Sequence, residues 1–136
     1  MFTVTDIDPS KKPDQFQFDA LPGRFADISS EIDDNYLDAI VTTMFIETAQ
    51  NPLTYVDIIF RLLKPGGIWI NFGSMNYVHG EDSLSMPLNM LKNILKKEYK
   101  FKFVKDEIVQ STYASGCEQN TNVQIGCTFF TCPKEY

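Results

Sequence analysis

Leu63-Lys-Pro-Gly-Gly-Ile-Trp-Ile-Asn-Phe-Gly73 reads as a helix end, a tight turn and a strand in direct succession. Lys64 and Pro65 mark where a helix must stop. Gly66 and Gly67 permit the backbone angles of a sharp reversal, and Ile68, Trp69 and Ile70 form a run that is apolar on both faces. The stretch therefore predicts half of an α/β crossover, with a strand at 68–72 inside a covered, mostly parallel sheet.

Upstream of it, Asn51 suits a helix N-cap and Pro52 a first helical residue. Leu53, Val56, Ile59, Phe60 and Leu63 then recur at helical spacing. Before that helix, Leu37 to Phe45 reads as a strand, since Ala39, Ile40, Val41 and the β-branched Thr42 and Thr43 suit a sheet interior; it ends near Ile46 and Glu47. Nearer the N-terminus, Phe2 to Val4 and Phe16 to Leu21 read as short extended pieces. A Pro22-Gly23 turn and an acidic surface connection from Ile28 to Asn35 follow.

Downstream, a loop from Gly73 to Met86 precedes a helix starting near Pro87, with Leu88, Leu91 and Leu95 on one side and lysines on the other. Phe101 and Phe103 alternate with Lys102 and Lys105 in a strand expected to run to Thr112, and Val123 to Thr131 makes a final strand. The polar link Ala114 to Asn122 is too short for a parallel crossover, which predicts an antiparallel last pair.

At 136 residues, 43% hydrophobic and 13% aromatic, the chain has the material for one globular domain. It contains no apolar stretch near the roughly 18 residues of a membrane helix. No membrane partner is expected. The N-terminus shows no basic-then-apolar signal, and three cysteines cannot all pair with one another, which fits a reducing cytosol or nucleus. A net charge of -6 argues against a nucleic-acid surface. The exception, Lys92, Lys96, Lys97, Lys100, Lys102 and Lys105, reads as the solvated face of a helix and the strand after it. Cys117, Cys127 and Cys132 lack zinc-ligand spacing, and no G-x-S-x-G elbow supports a serine hydrolase.

The deduced order of strand, helix, strand, helix and two antiparallel strands resembles the end of the seven-stranded sheet of class I methyltransferases. Asp6-Ile-Asp-Pro9, Val41-Thr-Thr-Met-Phe-Ile-Glu-Thr-Ala49, Leu62 to Gly73 and Ser111-Thr-Tyr113 are together similar to the carnosine N-methyltransferase family. The resemblance spans nearly the whole chain but only the C-terminal part of that family's domain. It implies an α/β, Rossmann-like fold and methyl transfer from S-adenosylmethionine to an imidazole nitrogen of a histidine-containing dipeptide, converting carnosine to anserine.

By that resemblance, Glu47 stands where the family has a substrate-binding aspartate, one methylene shorter. From the residues alone, Glu47 also reads as a surface carboxylate beside a helix. His79 falls in a loop where the family carries a functional histidine directly after a tyrosine; here Val78 separates it from Tyr77. The resemblance thus makes Glu47 and His79 the catalytic candidates, Tyr77 a further substrate contact, and Arg24, Phe25 and Met44 the cofactor neighbours. Gly23-Arg24-Phe25 replaces the family's Gly-Asp-Phe, so a side chain that only donates hydrogen bonds stands where one accepted them. Val123-Gln-Ile125 replaces a stretch with substrate-enclosing tyrosines.

No Gly-x-Gly turn follows an early strand, so residues 1–136 are expected to be a partial methyltransferase domain lacking the glycine-rich cofactor motif. A sheet without its first strands exposes an apolar edge. The alternative expectation is a non-catalytic methyltransferase-like module that binds a protein partner, or a missing N-terminal segment, through that edge.

Overall fold

The structure, a computed structural model, describes residues 20–74, 86–113 and 123–135. The expected pieces at Phe2 to Val4 and most of Phe16 to Leu21 lie outside these residues. The elements run α1 (Phe25–Ser29), β1 (Leu37–Thr43), a single 3₁₀ turn (Ile46–Thr48), α2 (Pro52–Leu62), β2 (Leu63–Ser74), α3 (Leu88–Lys97), β3 (Lys105–Tyr113) and β4 (Val123–Pro133).

The crossover is as the sequence predicts. Asn51 caps α2, its Oδ1 accepting the Leu53 amide at 3.0 Å, with Pro52 at the first position. Gly66 has φ +81°, a left-handed angle that turns the chain into β2. Gly67 serves close approach instead, because a Cβ there would lie 2.9 Å from the Lys64 carbonyl oxygen and 3.1 Å from that of Asp38. Regular parallel pairing then joins Ala39–Thr43 of β1 to Ile68–Phe72 of β2.

The sheet order is β1-β2-β4-β3. β4 lies antiparallel to both β2 and β3, so three strands share one direction and the reversed last strand is inserted between two of them. The expected antiparallel final pair is present; the third strand, however, begins at Lys105 rather than at Phe101. Phe101 makes only an isolated bridge to Lys134, and its ring is buried against Trp69 and Phe60.

Coverage of the sheet departs from expectation. Trp69, Asn71 and Gly73 are buried, whereas the alternate residues Ile68, Ile70 and Phe72 are exposed or half-buried. The apolar run of β2 predicted two covered faces. In the described residues the core gathers on one: Val56 and Ile59 of α2 and Leu91 and Leu95 of α3 close over Trp69, Phe130 and Cys132. β1 is paired on one side only among the described residues, and Val41 on it is 67% exposed.

The lysines of α3 and the following segment are partly engaged. Lys92 pairs with Asp106, and Lys96 lies 4.9 Å from the centre of the Phe103 ring. Cys127 and Cys132 are buried in β4, which runs past the expected end at Thr131, and burial pushes the Cys132 thiol up to about 12. Cys117 lies outside the described residues.

Two polar clusters hold the scaffold. Lys134, 8% exposed, donates from Nζ to Asn35 Oδ1 and to the carbonyls of Phe60 and Leu63, each at 2.9 Å, with the Phe60 ring 4.2 Å away. A cation is thus set at the C-terminal end of α2, where carbonyls lack helical partners. Burial lowers its pKa, opposed by the charge of Asp34.

Across the sheet, Trp69 Nε1 donates to Thr42 Oγ1 at 2.9 Å, and Thr42 in turn donates to Asn71 Oδ1 at 2.9 Å. Asn71 Nδ2 reaches the Thr128 carbonyl at 3.4 Å. Replacing this hydroxyl by a methyl strands a buried donor and a buried acceptor. Thr42→Val is therefore expected to lower stability by about 3 kcal/mol, while Thr42→Ser stays within about 1 kcal/mol of the parent. Urea unfolding measures both, and a Val variant as stable as the Ser variant would refute the role.

Candidate functional site

β1 and β2 end side by side, with Thr43 opposite Phe72. Met44 then stops β1: its amide still donates to the Phe72 carbonyl at 2.8 Å, but its φ of +47° is left-handed and turns the chain across the end of the sheet. Such an angle is uncommon for a residue with a side chain. The 3₁₀ turn follows, driving Ile46 into the core and carrying Glu47 with it.

Glu47 is only 7% exposed, which corrects the surface-carboxylate reading. Its carboxyl group lies on Gly73, near the end of β2: a Cβ at that glycine would stand 3.1 Å from Oε2 and 3.4 Å from Oε1. Oε2 is buried without a hydrogen-bond partner among the described residues. Burial raises the pKa of Glu47, and a hydrogen bond from its own backbone amide partly opposes this. Beside it, the Ser74 amide faces Met44 Sδ at 3.5 Å.

The other expected site residues divide into three groups. Phe25 of α1 meets Phe45 edge-on at 5.2 Å and Tyr55 at 5.2 Å, while Phe45 and Tyr55 stack at 5.0 Å. This cluster ties α1 to the segment that carries Met44 and Glu47. Arg61 adds to the hold on α1, donating to the Ser29 carbonyl at 2.6 Å and the Ile32 carbonyl at 3.1 Å. Arg24 is exposed at the N-cap of α1, its carbonyl accepting from the Asp27 and Ile28 amides. Tyr77 and His79 lie outside the described residues.

Sequence reading missed Phe45 and Tyr55 as supports, and Gly73 as the floor beneath the carboxyl. For Gly73 a signal existed, because a glycine within a strand often marks the close approach of another group.

A buried carboxyl oxygen left without a donor suits a ligand N–H, since an unmatched buried acceptor is costly by about 1–3 kcal/mol. The end of neighbouring parallel strands is also where open α/β sheets place ligands. The family model for carnosine N-methyltransferase matches residues 1–136 in full. The chain belongs to the carnosine N-methyltransferase family.

It is 40% identical over 106 residues to the carnosine N-methyltransferase of Dictyostelium discoideum, covering 76% of this chain and 23% of that protein. With the carnosine N-methyltransferase of Rattus norvegicus it shares 37% over 134 residues, covering 95% of this chain and 33% of the relative. The chain thus spans a third or less of the length of these relatives. It also superposes on the crystal structure of TehB from Haemophilus influenzae with a TM-score of 0.57 at 17% identity, over 82% of this chain and 40% of that one, a likeness of fold. The architecture is that of a partial class I methyltransferase domain of Rossmann-like type with a mixed sheet.

The Glu47 environment has a consequence for stability. A folded carboxyl that holds its proton more tightly than the unfolded one makes the native state bind more protons above the ordinary carboxylate range. Stability then falls as pH rises through the raised pKa. Glu47→Gln removes that penalty, so it is expected to gain melting temperature over the parent at about pH 8 and not at about pH 4. Paired melting curves test this, and an equal difference at both pH values would show that the carboxyl titrates normally.

Proposed function

We propose that this chain forms the substrate-orienting part of an S-adenosylmethionine-dependent N-methyltransferase that methylates the imidazole of a histidine-containing dipeptide, converting carnosine to anserine. The observation that carries the proposal is the buried Oε2 of Glu47 at the end of β1 and β2, without a hydrogen-bond partner among the described residues. Family membership supplies the substrate class.

A neutral imidazole has one nitrogen that donates and one that accepts. Glu47 accepts the ring N–H, which fixes the tautomer and leaves the lone pair on the other nitrogen free to attack. As the ring gains positive charge its N–H becomes a stronger donor, and the ionised carboxyl opposite it stabilises that charge. The low polarity that raises the pKa of Glu47 also strengthens this contact. His79 and Tyr77 complete the proposed substrate contacts.

The groups present suit one end of the cofactor. Arg24 offers N–H donors, which match the acceptor nitrogens of an adenine ring rather than its amino group, and Phe25 beside it is only half-buried. Met44, whose Sδ lies 3.5 Å from the Ser74 amide nitrogen, is the third proposed cofactor neighbour. When bound, S-adenosylmethionine supplies a methyl group on a positively charged sulfur that is its own leaving group.

Titration calorimetry with S-adenosylmethionine tests binding by the chain; no heat at millimolar ligand would refute cofactor binding by these residues alone. Where turnover is observed, Glu47→Gln is expected to lower it about 100-fold while leaving cofactor affinity within about twofold. An unchanged rate would remove Glu47 from the mechanism.

A further inference from the structure

The backbone angles of Gly73 do not require glycine. It lies in regular pairing opposite Thr128 of β4, and it is absent from the residues with left-handed φ. Alanine or a β-branched residue would ordinarily serve a strand better. What it provides is space in one direction, where a Cβ would meet Glu47 Oε2 at 3.1 Å, the Met44 amide nitrogen at 3.3 Å and Glu47 Oε1 at 3.4 Å. Two of these three contacts are with the carboxyl group itself.

We infer that Gly73 is a positioning residue: its bare Cα sets the depth at which the Glu47 carboxyl lies, and so the point to which a substrate N–H must reach. The side chain of glutamate and the absence of one at 73 form a matched pair. The longer acid fills the hollow that glycine leaves, and alanine at 73 would force that carboxyl to shift, whereas a shorter acid would clear the methyl. What the carboxyl at that depth accepts is a substrate N–H that reaches the end of β1 and β2. This inference rests on the proposed role of Glu47 as the acceptor of that N–H.

The test is a set of variants, Gly73→Ala, Glu47→Asp and the two combined, read by carbon-13 NMR titration of the carboxyl at position 47 in the whole chain. Gly73→Ala is expected to push the Glu47 carboxyl outward and return its titration midpoint towards the ordinary carboxylate range. In the combined variant, the aspartate, one methylene shorter, clears the new methyl and keeps a raised midpoint. In turnover assays Gly73→Ala is expected to raise KM for the dipeptide about tenfold with cofactor affinity unchanged, and Glu47→Asp to relieve that loss when added to it. A midpoint in Gly73→Ala equal to that of the parent would overturn the inference.

Should Gly73→Ala fail to fold, the combined variant decides. If it folds, the obstacle to the methyl was the carboxyl; if it also fails, the obstacle is the Met44 backbone and the inference falls. The functional reading fails separately, through an unchanged rate in Glu47→Gln, which would leave the NMR coupling between positions 47 and 73 standing.

Discussion

One hydroxyl, Thr42 Oγ1, governs the alignment on which the site depends. It accepts from Trp69 and donates to Asn71, so both of its hydrogen-bonding roles are used across the β1–β2 pair, in a buried setting. A slip of one residue would break both bonds and turn the buried set of β2 to the other face. With the register held, Thr43 meets Phe72, Met44 turns away, and the Glu47 carboxyl falls on Gly73. Core packing alone would tolerate more variation, since apolar contact is not directional.

Around this alignment the scaffold is built from fixed junctions. Lys134 joins the end of α2 to Asn35 and to the start of β2, and Arg61 joins the same helix to the segment after α1. The Phe25, Phe45 and Tyr55 rings bind α1 to the turn that carries Glu47. The candidate site is therefore supported by neighbours that are themselves restrained, which precise placement of a reacting group requires.

Local chemistry made the crossover legible in the sequence. The cap at Asn51, the turn at Gly66 and the strand at 68–72 each depend on residues close in the chain, and each is found. The placement of β4 between β2 and β3 was not legible, because it depends on which strand edge remains free after β1 and β2 have paired. Ile68 and Ile70 suggested a strand covered on both faces; apolar character alone cannot say which face the helices take. The burial of Glu47 was hidden for a related reason. It depends on a missing side chain at Gly73 in another strand, and composition near Glu47 says nothing of it.

The insertion of β4 also sets an order of events during synthesis. β2 pairs on one edge with a strand that precedes it, but its other edge waits for β4, with Asn71 and Thr128 57 residues apart in the chain. Until that strand leaves the ribosome, β2 presents open backbone groups beside Trp69, and α3 must form with part of its cover absent. Such an intermediate is prone to pairing with other chains. The lysines of α3 and the segment after it, 92, 96, 97, 100, 102 and 105, are made during that interval, and so are Asp106 and Phe103, the partners on which Lys92 and Lys96 settle.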